Sequence, residues 1–243
     1  LKRSKTMMEV FPHRPFRASA DPEPTFGWLT AVPPNLRERL KWRPSQAWEL
    51  PNGPLLVLLF VGKDDPHSLD SCLRVMFPGL SASVVALDNC RPGCNISHNF
   101  LLDEPYFSLC TAAVDGRVKI VGGGPNCRTW SIRLHIPRPG GGLPLRGRTE
   151  ATLWGLPQLA PGDKQKCDDD SVLVLRQMYL TSLAKQHNRA VGSFLEHPED
   201  PSISSKVPSA KQCSSLWASQ AYRLWAKEGE HTLVSFDQCR LGQ

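Results

Sequence analysis

Hydrophobic and polar residues follow two rhythms along this chain, and the rhythms alternate. Leu55-Leu56-Val57-Leu58-Leu59-Phe60 is an unbroken apolar run of strand length, the pattern of a strand buried on both faces. Residues 68–77 switch to helical spacing, with apolar side chains at positions 69, 72, 73, 76 and 77 and Pro78-Gly79 as a stop. Residues 83–88 predict a second strand ending in Asp88, residues 107–114 a short helix, and residues 117–121 a third strand. From Pro137 to about Lys166 the chain is rich in Pro, Gly and Arg and reads as a long loop. Asp168-Asp169-Asp170-Ser171 then supplies acids and a cap to a strong helix with apolar positions at 172, 175, 179 and 183. Residues 191–196 predict a short strand, 216–226 a helix and 232–236 a last strand.

Strands alternating with helices predict an α/β fold, a parallel sheet covered by helices on both faces. Residues 1–50, rich in Pro, Arg and Trp, hold one short helix between Pro34 and Trp42 and read as an N-terminal extension or linker. The α/β domain is expected over 51–243. The chain opens on Leu1 and stops soon after Phe236, so a truncated C-terminal end is expected.

Forty per cent of the residues are hydrophobic, enough for a core, yet no run approaches the roughly 20 apolar residues of a membrane span. Neither a membrane nor a secretory signal is expected. The eight cysteines are scattered, and the close pair Cys90–Cys94 lacks partners at zinc-site spacing, so no metal is expected either. Together these favour a reduced, intracellular protein, and a nucleic-acid partner for its basic residues would make that compartment the nucleus. The net charge of +6 tolerates a polyanionic partner without requiring one. Arg128, Arg133, Arg138, Arg146 and Arg148 are clustered, and a solvated basic loop and a phosphate-contacting surface remain equally open.

Chemistry in an open α/β sheet collects at the carboxyl ends of its strands. Four such ends carry suggestive residues: Phe60-Val61-Gly62, Ala86-Leu87-Asp88, Gly122-Gly123-Gly124-Pro125-Asn126-Cys127, and Phe194-Leu195-Glu196-His197. By residue type they offer a cofactor loop, an acid for ribose hydroxyls, a thiol nucleophile and a second carboxylate. For Cys127 by itself, packing and catalysis are both open. Trp130 either packs or stacks on a base, and Trp217 and Trp225, eight apart, read as one core-facing helix face. A cysteine hydrolase pairing Cys127 with His135 or His197 has no motif behind it.

The order of these strand ends resembles the cytosine carbon-5 DNA methyltransferases, whose signature is Gly-Gly-Pro-Pro-Cys followed downstream by Glu-Asn-Val or Glu-Asn-Pro. From Leu55 to Gly242, about three quarters of the chain, it is also similar to methyltransferase-like segments of dinoflagellate retroelement polyproteins, through Gly-Gly-Pro-Asn-Cys-Arg-Thr-Trp-Ser, Leu-Glu-His-Pro and Phe-Asp-Gln-Cys-Arg-Leu-Gly. The resemblance implies a doubly wound, Rossmann-like sheet of the S-adenosylmethionine-dependent type. It makes Cys127 the nucleophile and Glu196 the acid that holds a flipped-out cytosine. Phe60, Gly62, Asp88 and Pro125 would line the cofactor pocket. Asn99 or Asp103 would approach the adenine, unless they belong to a surface loop. Arg128, Arg133, Arg146 and Arg148 would hold DNA. Asp237-Gln238-Cys239 would support the pocket or serve structure alone. The chain departs from the signature at Asn126, at His197 and at Gly62-Lys63-Asp64-Asp65, where a second glycine is missing. The alternative implied is an inactive methyltransferase fold kept as a nucleic-acid-binding or structural module of a retroelement polyprotein.

Overall fold

The structure of the protein, a computed structural model, describes residues 26–62, 68–88, 98–135, 143–203 and 210–234, with only the backbone of Leu80, Ala82 and Arg133. Cys90, Cys94, Arg138, the loop after Gly62 and Asp237-Gln238-Cys239 therefore lie outside the described residues, as do the side chain of Arg133 and the expected C-terminal truncation.

Helix α1 (Pro34–Glu38) precedes strand β1 (Leu55–Leu59), which is followed by α2 (Leu69–Met76), β2 (Val84–Leu87), α3 (Asp103–Val114) and β3 (Val118–Gly123). Helices α4 (Glu150–Leu153) and α5 (Pro161–His187), strand β4 (Gly192–Leu195) and α6 (Gln220–Glu228) complete the order. The strands form one parallel sheet in the order β2-β1-β3-β4. The chain thus leaves β1 for one neighbour and returns past it to the other, so strand order reverses between β1 and β3. The α/β expectation holds, and the first four of the five expected strands lie within a residue or two of their expected bounds. Residues 232–234 form no strand.

Burial explains why these segments pair. Leu55, Val57, Leu58 and Leu59 of β1 are at most 1% exposed, as the unbroken apolar run requires of a central strand. Helix α3 buries Tyr106, Leu109, Ala112 and Ala113, and packs on α5, which buries Val172, Leu175, Met178, Leu180 and Leu183. Each buried Val, Leu or Met among these contributes about 1.5–3 kcal/mol of transfer free energy. Helix α2 behaves differently: its apolar Leu69 and Met76, and Phe77 just after it, stay exposed, and Asp70 is its buried residue.

Three expectations need correcting. Residues 26–50 belong to the core: Trp28, Val32, Leu36 and Leu40 are buried to 2% or less. Tyr106 donates from its hydroxyl to Leu40 O at 2.9 Å, and Arg176 of α5 donates to Arg39 O at 3.1 Å. The apolar residues recur every fourth position, and the surrounding prolines and arginines hide that spacing. Second, α5 starts at Pro161, inside the segment that reads as loop, and α4 lies there too. Proline at the first helical position presets φ and forfeits no hydrogen bond, so the helix begins there and Asp168–Ser171 fall in its body. Third, α6 begins at Gln220, where the Ser219 hydroxyl accepts the Tyr222 amide at 3.0 Å. Trp217 sits before it in a 3-10 turn, so the two tryptophans share no helix face, but both pack on the core: Trp217 is half-buried against it and donates to Pro198 O at 2.6 Å, and Trp225 is buried and donates to Met178 O at 3.1 Å.

Glycine at the end of β3 is a steric requirement. A Cβ on Gly123 would run into the Leu59 carbonyl of β1, and one on Gly122 into the Phe194 ring of β4. A backbone carbonyl in a paired strand has little room to give. Gly123→Ala is expected to cost about 3 kcal/mol or more, read as a lower urea midpoint; an unchanged midpoint would contradict the packing described.

Candidate active site

Because the four strands are parallel, their carboxyl ends share one edge. Phe60 and Gly62 follow β1, Asp88 follows β2, Cys127 follows β3 and Glu196 follows β4. The sequence-predicted residues Cys127, Glu196, Phe60, Gly62, Asp88 and Pro125 are all placed there.

The cysteine loop is a tight turn built from its own polar groups. Asn126 Oδ1 accepts the Arg128 amide at 3.0 Å, and the Trp130 amide donates to Cys127 O at 2.9 Å. Pro125 is buried, Cys127 half-buried, and Asn126 and Arg128 are exposed. Glu196 reaches the same place from β4: its amide donates to Gly123 O at 2.9 Å, and a Cβ on Gly124 would lie 2.5 Å from Glu196 Oε2. Gln177 of α5 ties the two strand ends together, donating to Gly123 O at 3.2 Å and Phe194 O at 2.9 Å.

Helix α5 also holds the residues after the thiol. The fully buried Asp170 carboxylate accepts the Thr129 hydroxyl at 2.7 Å, the Thr129 amide at 3.3 Å and Arg128 Nε at 3.0 Å. Arg146 donates to the same Thr129 hydroxyl from Nη2 at 2.9 Å, and to Ser171 Oγ, Leu153 O and Cys167 O. Its guanidinium lies 4.0 Å from the Trp130 ring centroid.

These contacts overturn the assignment of Arg146 to a DNA-holding surface and commit Arg148 to an ion pair within the protein. Arg146 is 1% exposed and wholly committed to internal partners, so it is out of reach of a phosphate. Arg148 is locked to Asp200 by two bonds of 2.7 Å, and also donates to Ser202 Oγ. Their acceptors stand far along the chain, where charge clustering gives no hint of them. Arg128 keeps half its side chain in solvent while paired with Asp170. Trp130 is 2% exposed under Arg146, so it packs and does not stack on a base. Asp103 is engaged by Arg176 at 2.7 Å, and Asn99 Oδ1 caps its own loop by accepting the Leu101 amide at 3.0 Å.

Electrostatics around the thiol disfavour its ionised form. Burial first, then the Glu196 and Asp170 carboxylates, push the Cys127 thiol above its ordinary value. Arg128 does not activate it, because its guanidinium is spent on Asp170. Burial also pushes the Glu196 carboxyl up. His197 is held between Trp130 and Trp217 with both ring nitrogens buried and unpartnered, so it is no base for the thiol.

On the β1–β2 side, Gly62 donates its amide to Asp88 Oδ2 at 2.9 Å. Phe60 and Gly62 both take left-handed conformations, φ 59° and 74°, and a Phe there signals backbone strain. The Phe60 ring meets Phe100 edge-on at 6.0 Å.

Comparison with family models, with curated proteins and with solved structures finds no match. Among the described residues no helix is long and apolar enough to cross a membrane, and no cluster of metal-ligating side chains occurs.

Burial and the Arg146 charge hold His197 down to about 3, so the folded protein keeps it neutral while the unfolded chain protonates it near 6.5. Its stabilising contribution is complete above pH 6.5 and is lost as the pH falls toward 3, at up to about 1.4 kcal/mol per pH unit. Between pH 7 and pH 5 urea unfolding should show the wild type losing about 2 kcal/mol more than His197→Gln. Parallel profiles would contradict this.

Proposed function

We propose that this domain is a cytosine carbon-5 methyltransferase acting on DNA, built on a doubly wound, Rossmann-like sheet. The observation that supports it is the pairing of Cys127 with Glu196 on adjacent strand ends, close enough for the carboxylate to raise the thiol's pKa. Carbon-5 of cytosine is a poor nucleophile until a group adds at carbon-6. Loss of the Cys127 proton to solvent gives the thiolate, whose sulfur forms the bond to carbon-6. The 5,6 double-bond electrons move toward carbon-5 and the ring nitrogen. Glu196, with its carboxyl pushed up by burial, supplies the proton that holds the ring nitrogen. Once Glu196 is neutral, one of the causes that disfavours the thiolate is removed, so the pair works in concert. Once carbon-5 carries the methyl group, its proton is lost to solvent, the carbon-6 to sulfur bond breaks to return the Cys127 thiolate, and the ring nitrogen gives its proton back to Glu196, which restores the ring.

S-adenosylmethionine, when bound, supplies the electrophilic methyl group. The residues present fit it: Asp88 ends β2 where ribose hydroxyls are bound in such sheets, Phe60, backed by the buried Phe100, offers an apolar wall, and no atom of the described residues lies within 4 Å of a Cβ placed on Gly62. A base must leave the duplex to reach a half-buried thiol, and Arg128 is the exposed cation beside it.

Two measurements test this reading. Calorimetric titration with S-adenosylmethionine should give heat that is lost in Asp88→Ala. DNA containing 5-fluorocytosine should trap a covalent adduct, absent in Cys127→Ser and slowed about 100-fold or more in Glu196→Gln. Heat and adduct both missing would leave the non-catalytic nucleic-acid-binding module, and an adduct surviving Cys127→Ser would remove the nucleophile assignment.

A further inference from the structure

We infer that Asp170 is the positioning residue of the cysteine loop: a buried carboxylate on α5 that grips the chain just beyond Cys127 and fixes the thiol beside Glu196. The proposal rests on the reading of Cys127 as a nucleophile and adds to it a residue that touches no substrate.

Asp170 lies in the body of α5 and is fully buried. A charge in that position is costly unless each oxygen is satisfied. Here the donors come from the cysteine loop: the Thr129 hydroxyl and amide, and Arg128 Nε at 3.0 and 3.2 Å. Both residues held are the two that follow Cys127. The Thr129 hydroxyl donates to Asp170 while accepting from Arg146, so its single proton is directed by the network and its rotamer is fixed. Gln177, two helical turns along α5, fixes the end of β3 before the loop. One rigid helix therefore sets the chain on both sides of Cys127, and through Phe194 O the approach of Glu196 as well. A nucleophile needs this kind of supporting shell to stay within a fraction of an ångström of its target.

The charged groups acting on the thiol are Glu196 from the end of β4 and Asp170 from α5, with Arg128 paired to Asp170 as its counter-ion and Arg146 behind Thr129. Removing Asp170 or removing its counter-ion should therefore act in opposite directions on Cys127. The test is the pH dependence of iodoacetamide alkylation at Cys127, resolved by peptide mass spectrometry on the full chain. Asp170→Asn is expected to lower the midpoint by about 0.5 pH unit or more, and Arg128→Gln to raise it. If Asp170 and Arg128 served only as packing, with no charge felt at the thiol they hold, both variants would move the midpoint the same way, toward the ordinary thiol value of about 8.5. Midpoints that move together, or stay put, overturn the proposal.

On 5-fluorocytosine DNA, Asp170→Asn should form adduct about tenfold more slowly with DNA binding unchanged; an unchanged rate overturns the positioning role. If the wild type forms no adduct while the midpoints diverge, Asp170 still positions the thiol and the methyltransferase reading is what fails. Should Asp170→Asn not fold, Thr129→Ser is expected to keep the wild-type midpoint and Thr129→Val to move it. Equal midpoints for those two would overturn the proposal as well.

Discussion

The close approach of β1, β3 and β4 at Gly122-Gly123-Gly124 sets the geometry of everything downstream. No side chain is tolerated at Gly123 because the Leu59 carbonyl of the paired strand occupies the space, and none at Gly122 because Phe194 does. At Gly124 the occupant changes from structure to chemistry: the space belongs to the Glu196 carboxylate. Three glycines in a row thus bring two strand ends together closely enough for a thiol and a carboxyl group to share one edge of the sheet. The cost is conformational entropy in the unfolded chain, offset by a strand pair that needs no side chain to pack.

Helix α5 turns that approach into a fixed arrangement. Its apolar residues form the centre of the core, while three polar residues on the same helix face inward with defined work. Gln177 joins β3 to β4, Asp170 holds Arg128 and Thr129, and Arg176 ties in Asp103 and the N-terminal segment. A buried carboxylate costs free energy to desolvate, and the donors of the cysteine loop offset that cost. Loop and helix are therefore mutually dependent.

How much of this the sequence discloses follows from the range of each interaction. β1 is legible because an unbroken apolar run has one simple solution, a central strand. Cys127 and Glu196 are legible because strand ends collect chemistry whatever the details. The start of α5 is hidden, since its first turns are polar and carry no hydrophobic rhythm. Arg146 and Arg148 look like a basic surface because their acceptors, Thr129, Cys167 and Asp200, stand 17 to 52 positions away. Asp170 is one of three consecutive acids, and only the helix's rotation decides which one points inward. The Trp28-Val32-Leu36-Leu40 spacing was a signal present in the chain, masked by a proline-rich composition that suggests a linker.

The proposed methyltransferase chemistry turns on one covalent step, addition of Cys127 to carbon-6 of cytosine with Glu196 holding the ring. Such an addition would loosen the hydrogen on carbon-5, independently of any methyl transfer. Release of tritium from DNA labelled at carbon-5 of cytosine measures it directly. Release is expected from the wild-type protein, disappearing in Cys127→Ser and falling sharply in Glu196→Gln. Release that persists undiminished in Cys127→Ser, or no release from any cytosine substrate, would contradict it.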